Sequence, residues 1–249
     1  MNEEQKLIYN KLVSKYVFNE AQKEEIGLGL EQNLDISIYA RPEFTASQMF
    51  QIRLGLEDGL DVSIYTKPEY NYEQMSEIRK GLRDCLNVEI YAKPEFHQGK
   101  MFAIRGGLKL NLDISIYNKP YFHWEQMIQI RDGLISNVDV SIFANPEFNS
   151  YQMEQIRLGL EKGLDVSIYA KPEFYWFQMG EIRLGLEKCL EVSIYAKPEF
   201  DWAQMKEIRL GLESDIDVFI YSNPAITYDE MERIRLSLEK IKFKNLSYV

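Results

Sequence analysis

"GLDVSIYAKPEFYWFQMGEIRLGLEKCLEVSIYAKPEF", residues 163–200, ends in nearly the words with which it begins, and the echo runs through the whole chain. Aligned on methionine, the sequence reads Met49, Met75, Met101, Met127, Met153, Met179, Met205 and Met231, a spacing of 26 without insertion. Proline keeps the same period at Pro42, Pro68, Pro94, Pro120, Pro146, Pro172, Pro198 and Pro224, which accounts for all 8 prolines. A fixed period between about 20 and 50 residues marks an array in which each repeat buries its apolar face on its neighbours.

Each repeat carries the signature of one helix of about a dozen residues. In NYEQMSEIRKGLRDCL, residues 71–86, a polar residue is followed three positions later by glutamine, the sequence form of a capping box. Thr45 with Gln48, Asn71 with Gln74, Asn149 with Gln152, Asp201 with Gln204 and Thr227 with Glu230 all fit. At the far end one position reads Asn33, Gly59, Cys85, Asn111, Asn137, Gly163, Cys189 and Asp215, mostly residues that tolerate the left-handed conformation ending a helix. Leucine, valine or isoleucine always follows, as the hydrophobic contact of a Schellman end requires.

The rest of the repeat, LDVSIYAKPEF, reads two ways. Alternation at Val62 and Ile64 fits a strand, whereas Asp61 fits the cap of a short helix that stops before Pro68. VSIYAKPEFDWAQMKEIRLGL, residues 192–212, resembles in its spacing the leucine-rich variant repeat, where a short helix ends in an Asn-Pro turn before a longer helix. Here the turn is Asn-Pro at Asn145-Pro146 and Asn223-Pro224, and Lys-Pro or Arg-Pro elsewhere; the repeat is longer than that family's and lacks its arginine and alanine pattern. The resemblance covers almost the whole chain and implies an all-α fold. We expect a right-handed α-solenoid of tandem 26-residue helix-turn-helix repeats, with one long and one short helix in each. The expected organisation is a single repeat domain over 1–249, with an N-terminal cap at 1–18, repeats at 19–238 and a C-terminal cap at 239–249.

Most of what recurs reads as scaffold. Met49, Ile52, Leu56 and Leu60 share one helical face, so the methionine ladder is core filler rather than a metal or redox series. Glycine recurs in mid-helix at Gly29, Gly55, Gly81, Gly107, Gly133, Gly159, Gly185 and Gly211. It costs about 1 kcal/mol against alanine there, so its repetition implies close approach by a neighbouring backbone. Arg53, Arg79, Arg105, Arg131, Arg157, Arg183, Arg209 and Arg235 flank the core face and must satisfy their donors. An internal ladder is expected with the recurrent carboxylates Asp35, Asp61, Asp113, Asp139, Asp165, Glu191 and Asp217. The tyrosines at 39, 65, 91, 117, 169, 195 and 221 read as scaffold too, and Phe143 in the same series shows that the hydroxyl is dispensable.

Composition narrows the function. A hydrophobic content of 45% is that of a folded protein, and a formal charge of -10 with pI near 4.9 opposes phosphate-backbone binding, which draws on cationic groups. No run of about 20 apolar residues exists for a membrane span, and the first residues lack the order of a secretory signal, so a cytoplasmic protein is expected. His97 and His123 share one cap position without nearby cysteines, and no unique nucleophile or glycine-rich loop breaks the repeat. The expectation is therefore no enzyme and no cofactor. Cys85 and Cys189 occupy one position four repeats apart and are expected as free thiols.

Two variable features are candidate partner-binding surfaces. The first helical position reads Ala46, Tyr72, Gln98, Trp124, Ser150, Trp176, Trp202 and Tyr228, holding all 3 tryptophans, with Tyr175 and Phe177 beside Trp176. Large aromatics at such positions are interaction hot spots, or else hydrophobic staples against the preceding turn. The second is the helix arc away from the core, where Phe50, Phe102, Ile128 and Ile135, joined by Leu110, stand where sibling repeats carry Ser76, Glu154 and Glu57. We expect a non-catalytic protein-binding scaffold, its partner a protein with a basic surface, with dimerisation through the central repeats as a further option. One alternative is a phage or mobile-element inhibitor of a bacterial nucleic-acid-targeting defence enzyme, of anti-CRISPR or anti-restriction type, acting through the acidic repeat surface. A third reading, a reader of single-stranded RNA, needs the arginine ladder exposed.

Overall fold

The computed structural model describes residues 1–246. They form ten α-helices: α1 (Glu3–Lys15), α2 (Glu20–Glu31), α3 (Ala46–Glu57), α4 (Tyr72–Arg83), α5 (Gln98–Lys109), α6 (Trp124–Ile135), α7 (Ser150–Glu161), α8 (Trp176–Glu187), α9 (Trp202–Glu213) and α10 (Tyr228–Leu246). From α2 onward a three-residue 3₁₀-helix separates each from the next, and there is no strand among the described residues. The DVSIYA segments are therefore short helices, most of them opened by a capping aspartate. Asp61 accepts from the Ser63 N–H at 3.0 Å and the Ser63 hydroxyl at 2.6 Å, which starts the 3₁₀ turn Val62–Ile64.

The chain divides into two compact units, Met1–Asn118 with α1–α5 and Lys119–Val249 with α6–α10. Within each unit every long helix packs on the next in chain order, so each is a helical solenoid built of the 26-residue repeat. The expected N-terminal cap contains α1, which buries none of its residues, and ends on the buried Phe18. Residues 247–249 of the expected C-terminal cap lie outside the described residues.

Both helix ends form as their chemistry dictates. All eight residues at the stop position, from Asn33 to Asp215, have φ between 50° and 69°. At Gly59 the Schellman pair is complete: the Gly59 N–H donates to the Leu56 carbonyl at 3.0 Å and the Leu60 N–H to the Gly55 carbonyl at 2.9 Å. At the start, the capping glutamine does more than close its own helix. Gln48 Oε1 accepts from the Thr45 N–H at 2.7 Å, while its Nε2 donates to the carbonyls of Tyr70 at 2.6 Å and Pro68 at 3.2 Å in the next repeat. Gln74, Gln152, Gln178 and Gln204 repeat the arrangement, so one buried side chain both caps a helix and ties repeats together. In α5 the position is Lys100, whose ammonium lies 4.0 Å from the centroid of the Phe96 ring.

Two expectations about the scaffold need correction. The mid-helix glycine faces a side chain of its own repeat, not a neighbouring backbone. The Tyr65 hydroxyl donates to the Gln51 carbonyl at 3.3 Å, and a Cβ on Gly55 would fall on that hydroxyl oxygen and 2.8 Å from Val62. The same tyrosine bond spans 14 residues in sibling repeats, as from Tyr169 to Gln155 at 3.1 Å and from Tyr221 to Glu207 at 3.1 Å. Phe143 keeps the ring without the bond, and its tip still lies 2.7 Å from where a Gly133 Cβ would sit.

The arginine ladder exists, but with other partners. Arg53 Nε bonds Glu25 at 2.8 Å, Arg209 bonds Glu181 at 2.7 Å and Arg235 bonds Glu207 at 2.8 Å, each 28 residues back along the chain. Arg79, Arg157 and Arg183 find a glutamine there, Gln51, Gln129 and Gln155. A second carboxylate, one turn on, completes Arg53 with Glu57, Arg183 with Glu187 and Arg209 with Glu213. Asp35, Asp61, Asp113, Asp139, Asp165 and Asp217 are instead occupied as caps of the 3₁₀ turns, and Glu191 holds the Ser193 hydroxyl. A short Asp side chain satisfied by the amide two residues on has no reach left for a guanidinium.

Candidate protein-binding edge

The starts of α7, α8 and α9 set four rings in one run. Tyr151 stacks on Trp176 with centroids 5.2 Å apart, Trp176 on Phe177 at 3.5 Å, and Phe177 leans on Trp202 at 5.5 Å. The offset explains which residues meet. Side chains on neighbouring helices face each other at a separation of 25 rather than 26, as in the Lys188 to Glu213 and Ser136 to Glu161 bonds at the other end of the helices. The second position of one helix therefore meets the first of the next, pairing Tyr151 with Trp176 and Phe177 with Trp202. Reading only the first position misses Tyr151; a search at 25 finds it. The run stops at Ala203, which offers no ring to Tyr228.

These rings are not the staples of their helices. A staple joins the residue before the cap to the fourth helical residue. In α7, α8 and α9 those positions are Phe148 and Met153, Phe174 and Met179, and Phe200 and Met205, all buried. The staple is supplied by residues that recur in repeats lacking edge aromatics, so the outer rings are not needed for it. Tyr175 is 76% exposed, Phe177 47% and Trp202 45%, while Trp176 is half-buried between its stacking partners.

Two clefts flank the stack. One, of about 230 Å³ between α6 and α7, is lined by Trp124, Ile128 and Tyr151 together with Glu125 and Glu154. The other, of about 370 Å³ between α8 and α9, is lined by Tyr175, Trp176, Phe177, Pro198 and Trp202 together with Glu199 and Asp201. No lysine or arginine lines either. Asp201 accepts from the Gln204 N–H at 2.8 Å as the cap of α9, and Glu125 lies 3.4 Å from His123 Nδ1.

The remaining candidates are not members of the stacked run. In the first unit, Phe50 on α3 and Phe102 on α5 are exposed, each under the guanidinium of the arginine three residues on, at 5.5 Å from Arg53 and 5.8 Å from Arg105, with Ser76 of α4 at the intervening position. Tyr72 is exposed with its hydroxyl 3.3 Å from Glu73, and Leu110 is exposed just past α5. In the second unit Ile135 and Tyr228 are exposed, and Ile128 is half-buried in the first cleft.

Among the described residues no three His, Cys, Asp or Glu side chains are grouped to hold a metal ion, and no helix is long and apolar enough to cross a membrane. Compared with protein-family models, curated proteins and solved structures, the chain matches none. Its chemistry must therefore be read from the edge itself.

Proposed function

We propose that the protein is a non-catalytic binding scaffold and that the edge formed by α6–α9 is its contact surface for another protein. The observation that carries this reading is the stacked run Tyr151–Trp176–Phe177–Trp202, laid on helix starts whose caps and staples are supplied by other residues. Tryptophan and tyrosine dominate binding hot spots because they bring large apolar area and a polar tip. Stacking adds preorganisation. Rings already held by one another lose little rotamer freedom on contact, which otherwise costs about 0.5–1.5 kcal/mol for each immobilised side chain.

The reading is tested by placing a photo-crosslinking amino acid at Tyr175 and, as control, at the equally outward Phe219, in the cells that carry the gene. A discrete protein adduct from 175 and none from 219 supports it. Equal yields at both positions, or no adduct at 175, would refute it.

A further inference from the structure

The two clefts set aromatic faces beside carboxylates, with Ile128, Gln129 and Ser150 completing the first lining and Gln178 and Pro198 the second. Glu125 and Glu154 border the first, Glu199 and Asp201 the second, and neither has a cation in its lining. Some carboxylates at the other end of the helices pair with lysine, as Glu187 does with Lys162 and Glu213 with Lys188, whereas no lysine or arginine lines either cleft. A planar guanidinium can lie on an aromatic face and at the same time donate to a carboxylate at the ring's edge, a pairing that an acidic, neutral or phosphate-bearing ligand cannot make. Resting on the reading of this edge as a protein-binding surface, we propose that its occupant is an extended, arginine-bearing segment of the partner. One arginine enters each cleft, and an apolar stretch crosses the Tyr151–Trp176 ridge between them.

Geometry fixes the spacing. The clefts lie two helix intervals apart, about 16–20 Å at the usual packing distance. An extended chain covers about 3.3 Å per residue, so five or six residues separate the two cations. Six is the choice that returns both side chains to the same face, in a strand with its period of two and in a polyproline helix with its period of three. The recognised pattern is then Arg-x5-Arg with apolar residues between.

A display library of random dodecapeptides, selected on the full chain and counter-selected on a folded Trp176→Ser/Trp202→Ala variant, tests this directly. Enrichment of arginine pairs six apart is the expected result. A synthetic peptide of the selected sequence should shift tryptophan fluorescence, since all three tryptophans line these clefts. Its affinity should fall at least fivefold in Glu154→Gln/Glu199→Gln, a variant that leaves every ring in place. Edge-dependent peptides that are neutral or acidic, or affinity unchanged in the double glutamine variant, would overturn the cationic occupant while leaving the binding edge standing. Tighter binding of a decamer of oligouridylate than of any selected peptide would overturn it in favour of nucleic acid. Failure to select any peptide that depends on Trp176 and Trp202 would remove both the occupant and the edge.

Discussion

Helix α3 opens with Thr45-Ala46-Ser47 and helix α8 with Tyr175-Trp176-Phe177, yet the two are built alike from the next residue inward. Gln48 and Gln178 each accept from the backbone N–H of the cap residue at 2.7 Å and each donate at 2.6 Å to a carbonyl of the following repeat. Met49 and Met179, Ile52 and Ile182, Tyr65 and Tyr195 are all fully buried. The same interior thus tolerates alanine and serine at one edge and three aromatics at the other. The lesson is that the repeat separates its two tasks by position: the inner face and the caps hold the fold, and the first residues of each helix are open to variation.

If that separation is real, the largest losses come from the interior and are alike in both regions. Gly55→Ala and Gly185→Ala each force a methyl onto the hydroxyl of Tyr65 or Tyr195, displacing the ring and its bond to the chain. Overpacking of this kind costs about 1–3 kcal/mol and a lost buried hydrogen bond about 1 more, against about 1 regained in helix propensity. A net loss of about 1–3 kcal/mol is expected from urea denaturation of either variant. A variant of α8 much milder than that of α3 would break the equivalence.

A gain should follow where one repeat falls short of its siblings. Phe143→Tyr places a hydroxyl where Tyr169 uses its own to reach a carbonyl 14 residues back, here that of Gln129. The added bond should stabilise by about 1 kcal/mol, read as a raised denaturation midpoint. A loss would mean that this repeat has closed around the smaller ring.

The ion pairs at the other end of the helices should contribute less and in a pH-dependent way. Lys162 and Arg183 hold the Glu187 carboxyl below its usual range; burial pushes Glu213 up, but Lys188 and Arg209 outweigh it. A carboxylate with a depressed folded pKa gives its full stabilisation above the unfolded value of about 4.3, and that stabilisation is lost as pH falls through the lower folded value. Lys188→Ala should therefore cost under about 1 kcal/mol at pH 7 and move the acid-unfolding midpoint upward. An unchanged midpoint would show that Arg209 alone suffices.

Much of the fold was legible because it is written eight times. The stop residues Asn33 to Asp215 differ in size and charge but share tolerance of positive φ, and that shared tolerance named the helix ends. Partners were harder to read, because contacts between repeats do not fall at the period. Arginine reaches 28 back, glutamine 22 forward and the outer rim 25 forward, so columns aligned at 26 set Arg53 beside Asp61 and hide Glu25. The position 28 back is glutamate in some repeats, glutamine in others and Ala103 before Arg131, which blurs it as a column, whereas the aspartates stand out and are already occupied. Trp176 and Trp202 were legible as exceptions to the repeat, but their linkage through Tyr151 and Phe177 needed the offset.

The smallest expected effect per residue is also the most direct test of the central claim. In the triple variant Trp176→Ser/Phe177→Ser/Trp202→Ala, the edge of α8 and α9 carries residues found at equivalent positions in other repeats, Ser150, Ser47 and Ala46. If the rings serve contact and not folding, the urea midpoint of the variant should stay within about 0.5 kcal/mol per site of the parent, the range of ordinary surface substitutions. A collapse of several kcal/mol, of the size expected for core aromatics, would contradict the account and return these rings to the scaffold.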